Sequence, residues 1–405
     1  MTELGEIPEN WDVKQLKEIS TRVTDGVHAT PKYTDGGIAF ISANNLTSGK
    51  IKFGNCKYIS AEDHEILIKR CKPEKGDLLF TKVGTLGITD VVECDDEFSI
   101  FVQLALIKLN VGCDSHYIKY QLNSEKTRNR VLTEASGTTM QYIGIGQISE
   151  LPILVPPLSE QQKIADILSA VDEKIDQTDQ LIAKTKELKK GLLKKLLTQG
   201  IGHKEFKHTE IGEIPAEWEV KQIGDVADYI NGRAFKPNEW ETSGIPIVRI
   251  QNLNGSSEFN YCQKNVEQKY YIDHNELLFS WSGSRGTSFG PFIWKKDKAV
   301  LNQHIFKVQI YQNIYKLYLY YALKYITELI EKNAHGSAGL VHITKKHLER
   351  FLIPVPSFVE QQKIADILLS VDEQIMHYES EKQSLQKLKQ GLMQKLLTGK
   401  IRVTA

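Results

Sequence analysis

The chain has 405 residues, 51 basic and 51 acidic side chains, 41% hydrophobic residues and 9% aromatics, which suffices for two or three cored domains and is too apolar for a disordered chain. No stretch approaches the roughly 18 unbroken apolar residues of a membrane span, and Met1–Asn10 carries no basic segment followed by an apolar one, so a soluble cytoplasmic protein is expected. Five widely spaced cysteines without a CxxC pair argue against a disulfide scaffold and against a zinc site.

In chain order, Gly5-Glu-Ile-Pro8 and Trp11 come first. Short apolar runs follow at Ile38–Ile41, Leu78–Phe80 and Phe101–Leu109, bounded by Gly, Asn and Asp, and these read as strands. Tyr117–Leu132 has helical spacing, and Leu151-Pro-Ile-Leu-Val-Pro-Pro157 is a proline-rich strand. From Ser159 to Leu197 there is no proline. Apolar residues at Ile164, Leu168, Val171, Ile175, Ile182, Leu188, Leu192 and Leu196 give the four-and-three spacing of a coiled-coil seam.

The chain then starts again. Gly212-Glu-Ile-Pro215 and Trp218 repeat the opening at an offset of 207, and Tyr315–Glu331 repeats the helical spacing. Phe351-Leu-Ile-Pro-Val-Pro356 repeats the proline-rich strand. Glu160-Gln-Gln-Lys-Ile-Ala-Asp-Ile-Leu168 returns as residues 360–368 at an offset of 200. The second seam runs through Ile364, Leu368, Val371, Ile375, Tyr378, Leu385, Leu388, Leu392 and Leu396. Ser159-x-x-Gln162 and Ser357-x-x-Glu360 are the expected helix caps. Between these blocks the copies share only a skeleton: Asn44-Asn45 answers Gln251-Asn252, Leu78–Gly87 answers Leu277–Gly286, and Gln103 answers Gln303.

The fold class expected is therefore α+β: two mixed α/β globules separated by two long antiparallel coiled-coil helices, in an internal pseudo-twofold repeat. Antiparallel pairing follows from charge. Asp166, Asp172, Glu173, Asp176 and Asp179 precede Lys184, Lys186, Lys189, Lys190, Lys194 and Lys195 in the first helix, and the second helix repeats acid before base, so only opposed helices match acid to base. The expected segments are 1–157 and 200–357 for the globules and 158–199 and 358–405 for the helices. Residues 1–157 carry 17 basic and 21 acidic groups and residues 200–357 carry 19 and 17, so a polyanion-binding surface has to be local.

No catalytic motif is present. The sequence lacks the Asn-Pro-Pro-aromatic or Asp-Pro-Pro-aromatic run of an amino-methyltransferase, the phosphate loop G-x-x-x-x-G-K-[ST], H-E-x-x-H and G-x-S-x-G. Taken together, a variable domain, a proline-rich strand, an E-Q-Q-K-I-A-D-I-L helix and then a second copy closely resemble the specificity subunit of type I restriction-modification systems. The resemblance covers essentially the whole chain.

It implies a non-catalytic subunit with two target-recognition domains, each reading half of a bipartite, asymmetric site on double-stranded DNA. Its partners would be two copies of the modification methyltransferase subunit and a restriction/translocase subunit. Those partners would hold S-adenosylmethionine, ATP and Mg²⁺, and this chain no cofactor or metal. A single-chain DNA-modifying enzyme and a coiled-coil protein–protein scaffold without DNA binding are the alternatives.

Candidate DNA readers are the polar residues on the glycine-punctuated loops of the shared skeleton, because Lys and Arg position a protein on phosphates while Arg, Asn and Gln discriminate base edges. In the first globule these are His28, Lys32, Asn44, Asn45, Lys82, Thr85 and Gln141. In the second they are Arg233, Lys236, Arg249, Gln251, Asn252, Trp281, Ser284, Arg285 and Lys345. The acidic run Asp90, Glu93, Asp95, Asp96, Glu97 is expected to face away from phosphate.

Overall fold

A computed structural model describes residues 6–47, 49–138, 140–263, 266–336 and 340–403. Gly5 of the opening repeat, and Met1 and Ala405, lie outside the described residues. The chain divides into two compact units: Met1–Asp179 with Ser380–Ala405, and Gln180–Glu379. Each unit thus contains one globule together with half of each long helix.

In the first unit, a four-stranded antiparallel sheet has the order Ser20–Asp25, Leu104–Leu109, Leu78–Thr81, Thr89–Val91. A second sheet sets Ile38–Ile41 between Lys57–Ile59, antiparallel, and Phe98–Ile100, parallel. The second unit repeats both layers. Ala227–Asn231, Ile305–Ile310, Leu277–Ser280 and Gly290–Ile293 form one sheet, and Asn260–Cys262, Ile245–Val248, Ala299–Leu301 and Tyr271–Ile272 form the other. In both units an N-terminal strand pairs with the proline-rich one, Asp12–Gln15 with Pro152–Val155 and Glu219–Gln222 with Leu352–Val355. The proline-rich strands tolerate their prolines because each has a single partner.

The long helices span Leu158–Thr198 and Phe358–Leu396. At about 1.5 Å per residue, 41 residues make a rod of roughly 60 Å. Their pairing is antiparallel in each unit. In the first, Lys389 meets Asp172 and Lys382 meets Asp179, both at 2.6 Å; in the second, Lys189 meets Asp372 at 2.5 Å and Lys186 meets Glu379 at 2.7 Å. Partner numbers fall as the others rise, and every pair sets acid against base as the charge pattern requires.

The repeated E-Q-Q block is the joint between helix and globule. Trp11 Nε1 donates to Glu160 Oε2 and Trp218 Nε1 to Glu360 Oε2, each at 3.0 Å. Gln161 and Gln361 each donate to a proline carbonyl, Pro156 and Pro356, at 2.9 Å. Tyr120 and Tyr321 donate their hydroxyls to Asp172 and Asp372 at 2.8 and 2.9 Å. Ile164, Ala165 and Leu168 lie in the first core with Trp11, Tyr117 and Leu397, and Ile364, Ala365 and Leu368 occupy the same places with Trp218, Tyr318 and Leu197.

Several local readings are corrected. The apolar run from Phe101 breaks in a turn, Leu104 N to Phe101 O, so the strand begins at Leu104. Tyr117–Leu132 is two helices, Ser115–Asn123 and Glu125–Glu134, because Ser124 adopts an extended backbone and caps the second through Thr127 N. Ser357 does accept from Glu360 N at 3.3 Å, but its counterpart at offset 200 is Pro157, and Ser159 lies inside the first helical turn. Leu188 and Leu388 are 54% and 50% exposed and lie off the seam. The four-and-three pattern passes instead through Thr178, Ile182, Thr185 and Lys189, of which Thr178, Ile182 and Thr185 are buried, and Lys389 repeats Lys189 in its ion pair. Threonine and the aliphatic stem of lysine fill positions that an apolar count skips.

Candidate nucleic-acid interface

In both units the loop-bearing edge is built where the first and third strands of the antiparallel sheet end. Strand pairing of Asp25 with Ala105 and of Asn231 with Phe306 puts Asp25 and Asn231 at equivalent points. A glycine follows each because backbone closes over it: a Cβ on Gly26 would stand 2.2 Å from Ile100 O, and one on Gly232 would stand 2.1 Å from Asn302 O. Opposite them sit Lys82 and Trp281, whose carbonyls accept from Ile143 N and Ile343 N. Lys82 N donates to Gln103 O and Trp281 N to His304 O. The true counterpart of Gln103 is therefore His304, one residue beyond the match that the apolar runs suggest.

The same backbone carries unlike chemistry. In the first unit Asp25 is a hub: Lys82 Nζ lies 2.7 Å from one carboxylate oxygen, Arg70 Nη2 lies 2.6 Å from the other, and His28 Nε2 approaches to 3.3 Å. Asp25 is 6% exposed and Lys82 9%. Burial pushes the Asp25 carboxyl up, but the hydrogen bonds from Lys82 and Arg70 outweigh it and hold the group below the usual carboxylate range. In the second unit the Asp25–Lys82 pair is replaced by a neutral one, Trp281 Nε1 donating to Asn231 Oδ1 at 2.9 Å and to Gln303 O at 3.0 Å. The His304 ring lies 5.1 Å from that of Trp281, and burial lowers its pKa. His304 Nδ1 and Gln303 Oε1 are buried without a hydrogen-bond partner. Such groups cost free energy unless something hydrogen-bonds them.

Asn45 and Asn252 are buried caps that accept from the backbone N–H of Ser42 and Arg249 at 3.0 Å, and so shape their loops from within. Asn44 and Gln251 beside them are exposed. Gly84 N donates to Gln141 O, which brings Gln141 against the Lys82–Thr85 loop, and Thr85 O accepts from Thr81. Arg233 is tied to Glu239 at 2.6 Å with its guanidinium over Phe235, and Arg249 lies over Trp240. Arg285 donates to Glu331 O at 2.9 Å, and Lys345 is held by Asp228 at 2.6 Å. Lys32, Lys236 and Ser284 are exposed.

Arg70 and His304 escaped the sequence reading. Arg70 lies 45 residues from Asp25 beyond an α-helix, Ala61–Leu67, where the described residues of the second copy show only the short 3-10 turn Gln268–Tyr270. Within the acidic run Asp95 pairs with Lys75 and Glu97 with Lys72, Glu93 lies 3.4 Å from His116 Nε2, and Asp90 accepts from Ile51 N.

No helix among the described residues is long and apolar enough to cross a membrane. Residues 8–187 and 215–390 each match the family described as the type I restriction modification DNA specificity domain. The chain is 32% identical to a protein of Methanocaldococcus jannaschii described as the type I restriction enzyme MjaX specificity subunit, over 99% of this chain and 96% of that one. It is 29% identical to the MjaVIII specificity subunit of the same organism, over 98% and 94%. The fold is that of the S subunit of a type I restriction-modification system from M. genitalium, at a TM-score of 0.61 and 19% identity, covering 98% of this chain and 99% of that one. Two specificity domains on two repeated helices, with divergent polar edges on a shared skeleton, place this chain in the family of type I restriction-modification specificity subunits, the non-catalytic components that recognise DNA sequence.

Proposed function

We propose that the two polar edges read the two halves of a bipartite, asymmetric site on double-stranded DNA. The reading rests on one observation: identical backbone positions carry Asp25–Lys82 in one unit and Asn231–Trp281 in the other. An ionic edge and an aromatic, neutral edge offer different hydrogen-bonding patterns to base pairs, which two copies of one edge cannot do. Residues 1–157 and 200–357 act as the recognition domains and 158–199 and 358–405 as the helices between them. The proposed readers are those of the sequence analysis together with Arg70 and His304, with Asn45 and Asn252 acting through loop shape.

The helices dock two copies of the modification methyltransferase subunit, and a restriction/translocase subunit joins that assembly in the cytoplasm. Support comes from apolar side chains exposed in both copies at an offset of 200: Leu158 with Phe358, and Leu188 with Leu388. Duplicated exposed patches suit two copies of one partner.

The test is to replace residues 12–150 by the equivalent domain of a relative, co-express the chimera with the methyltransferase subunit and map methylated adenines. One half of the recognised sequence should change and the other remain. Simultaneous change of both halves would overturn the modular reading, and a one-to-one complex at saturation would overturn the stoichiometry.

A further inference from the structure

The second globule carries a cluster of imidazoles that the first lacks. His335 and His342 face each other across an isolated bridge, His335 N to His342 O at 2.9 Å and His342 N to His335 O at 2.8 Å, with ring centres 6.0 Å apart. The His347 ring lies 6.3 Å from that of His335 and stacks on Phe351. The bridge in the first unit pairs Ser136 with Tyr142, and the residue corresponding to His347 is Gln147. The short helix Lys345–Leu348 reads Lys-Lys-His where the first copy reads Ile145-Gly-Gln147. One position in the fold is thus neutral in one unit and basic, with three titratable rings, in the other.

The surrounding charges leave this patch cationic. On its own helix, Lys345 is matched by Asp228 and Glu349. On the helix Lys316–Asn333, Lys332 is matched by Glu328, while Glu331 accepts from Gly286 N. The strand Ser282–Ser284, paired with Leu340–His342, contributes no charge, and Arg285 after it donates to a backbone carbonyl. Among the described residues no acidic side chain forms an ion pair with His335, His342, His347, Lys346 or Arg350. Nor do the described residues form a group of three suited to a metal ion. A cluster of N–H donors with uncompensated positive charge fits an anion.

The patch also adjoins the proposed reading edge, since Ser282 pairs with His342 and Trp281 O accepts from Ile343 N. We infer that His335, His342 and His347, with Lys346 and Arg350, form a phosphodiester clamp of the second recognition domain, engaging the DNA backbone beside its half-site. The inference rests on the DNA-reading function proposed above and adds that this three-imidazole cluster makes DNA binding by the second half of the protein proton-linked. Imidazole is the side chain whose charge changes between pH 5 and 8, and an anion binds its protonated form, so protons are taken up as the duplex binds. Each phosphate so neutralised also adds about 0.9 to the slope of log affinity against log salt concentration.

The experiment measures binding of the full chain to a fluorescent 30-base-pair duplex of random sequence at pH 6.0 and 8.0, at several salt concentrations. Affinity should be about tenfold higher at pH 6.0, with a salt slope steeper by about one. In the variant H335Q/H342Q, which alters exposed side chains whose backbone makes the bridge, and in the triple variant adding H347Q, the pH effect should fall below about twofold. The change H208Q, on the strand Phe206–Thr209, should leave it intact. K346Q/R350Q should weaken binding at both pH values and leave their ratio unchanged. Variants that retain the tenfold ratio would overturn the clamp while leaving DNA reading standing. Absence of duplex binding by the wild-type chain at either pH would overturn DNA reading and the clamp with it.

Discussion

The joint at Glu160 is where the first unit is closed by its own two chain segments. Glu160 is 4% exposed, accepts from the Trp11 indole and receives Arg402 in a bidentate pair, Nε and Nη2 each at 2.8 Å. Burial pushes its carboxyl up, yet Arg402, Trp11 and the Val403 N–H together hold it below the usual range. Changing Glu160 to Gln preserves the acceptor for Trp11 and removes the charge and one arm of the bidentate pair. Breaking a fully buried pair costs about 3–5 kcal/mol, and partial exposure of Arg402 trims this to about 2–3 kcal/mol. For a unit of about 200 residues that lowers Tm by roughly 5–10 °C.

The assay is calorimetry alongside ¹⁵N-tryptophan spectra, in which Trp11 is the sole reporter of the first unit because the other four tryptophans lie between residues 218 and 294. Glu360 is the internal control. It holds Trp218, His203 and Ile201 N with no arginine, so E360Q should cost about 1 kcal/mol. Because the folded-state carboxyl of Glu160 is depressed, its contribution is complete above the unfolded value near 4.3 and is lost as pH falls through the folded one. The wild-type and E160Q curves should therefore converge as pH falls from the unfolded value through the depressed folded one. Equal costs for E160Q and E360Q would refute the reasoning, since the charge on Arg402 would then contribute nothing.

Asp25→Asn should destabilise the first unit by about 3 kcal/mol because it leaves Lys82 buried and uncompensated, and adding K82M should recover more than half of that in urea denaturation. The Asp25 carboxyl is depressed as well, so this stabilisation too is present above the unfolded value near 3.9 and vanishes as pH falls through the folded one. Leu188→Glu with Leu388→Glu should leave Tm within about 1 °C and abolish co-purification of the methyltransferase subunit, because both side chains are exposed and off the seam. Joining the chain ends through a short linker and reopening near Lys204 should give a folded, DNA-binding permutant by circular dichroism and duplex binding. The tail already lies against the opening segment: a methyl group on Gly399 would meet Pro8 at 2.5 Å.

What the sequence disclosed and what it hid divide along a physical line. The repeated blocks are legible because they form the joint twice, and one constellation of Trp, Glu, Gln and Tyr satisfies it both times. The antiparallel pairing was legible because charge segregates along the helices. Leu188 was misplaced because an apolar count cannot see that Thr185 and Lys189 fill the seam. Asn45 and Asn252 have the composition of readers and the burial of caps, a distinction that depends on carbonyls several residues away in the loop.

The hub at Asp25 was hidden for a further reason. Between Asn45 and Leu78 the first copy is eight residues longer than the second between Asn252 and Leu277, and the extra length includes the helix Ala61–Leu67 that delivers Arg70 to Asp25. Comparing the copies exposes what both need to fold. The chemistry that differs between them arises where one copy has chain that the other lacks, and there the partner of a buried charge can only be found in three dimensions.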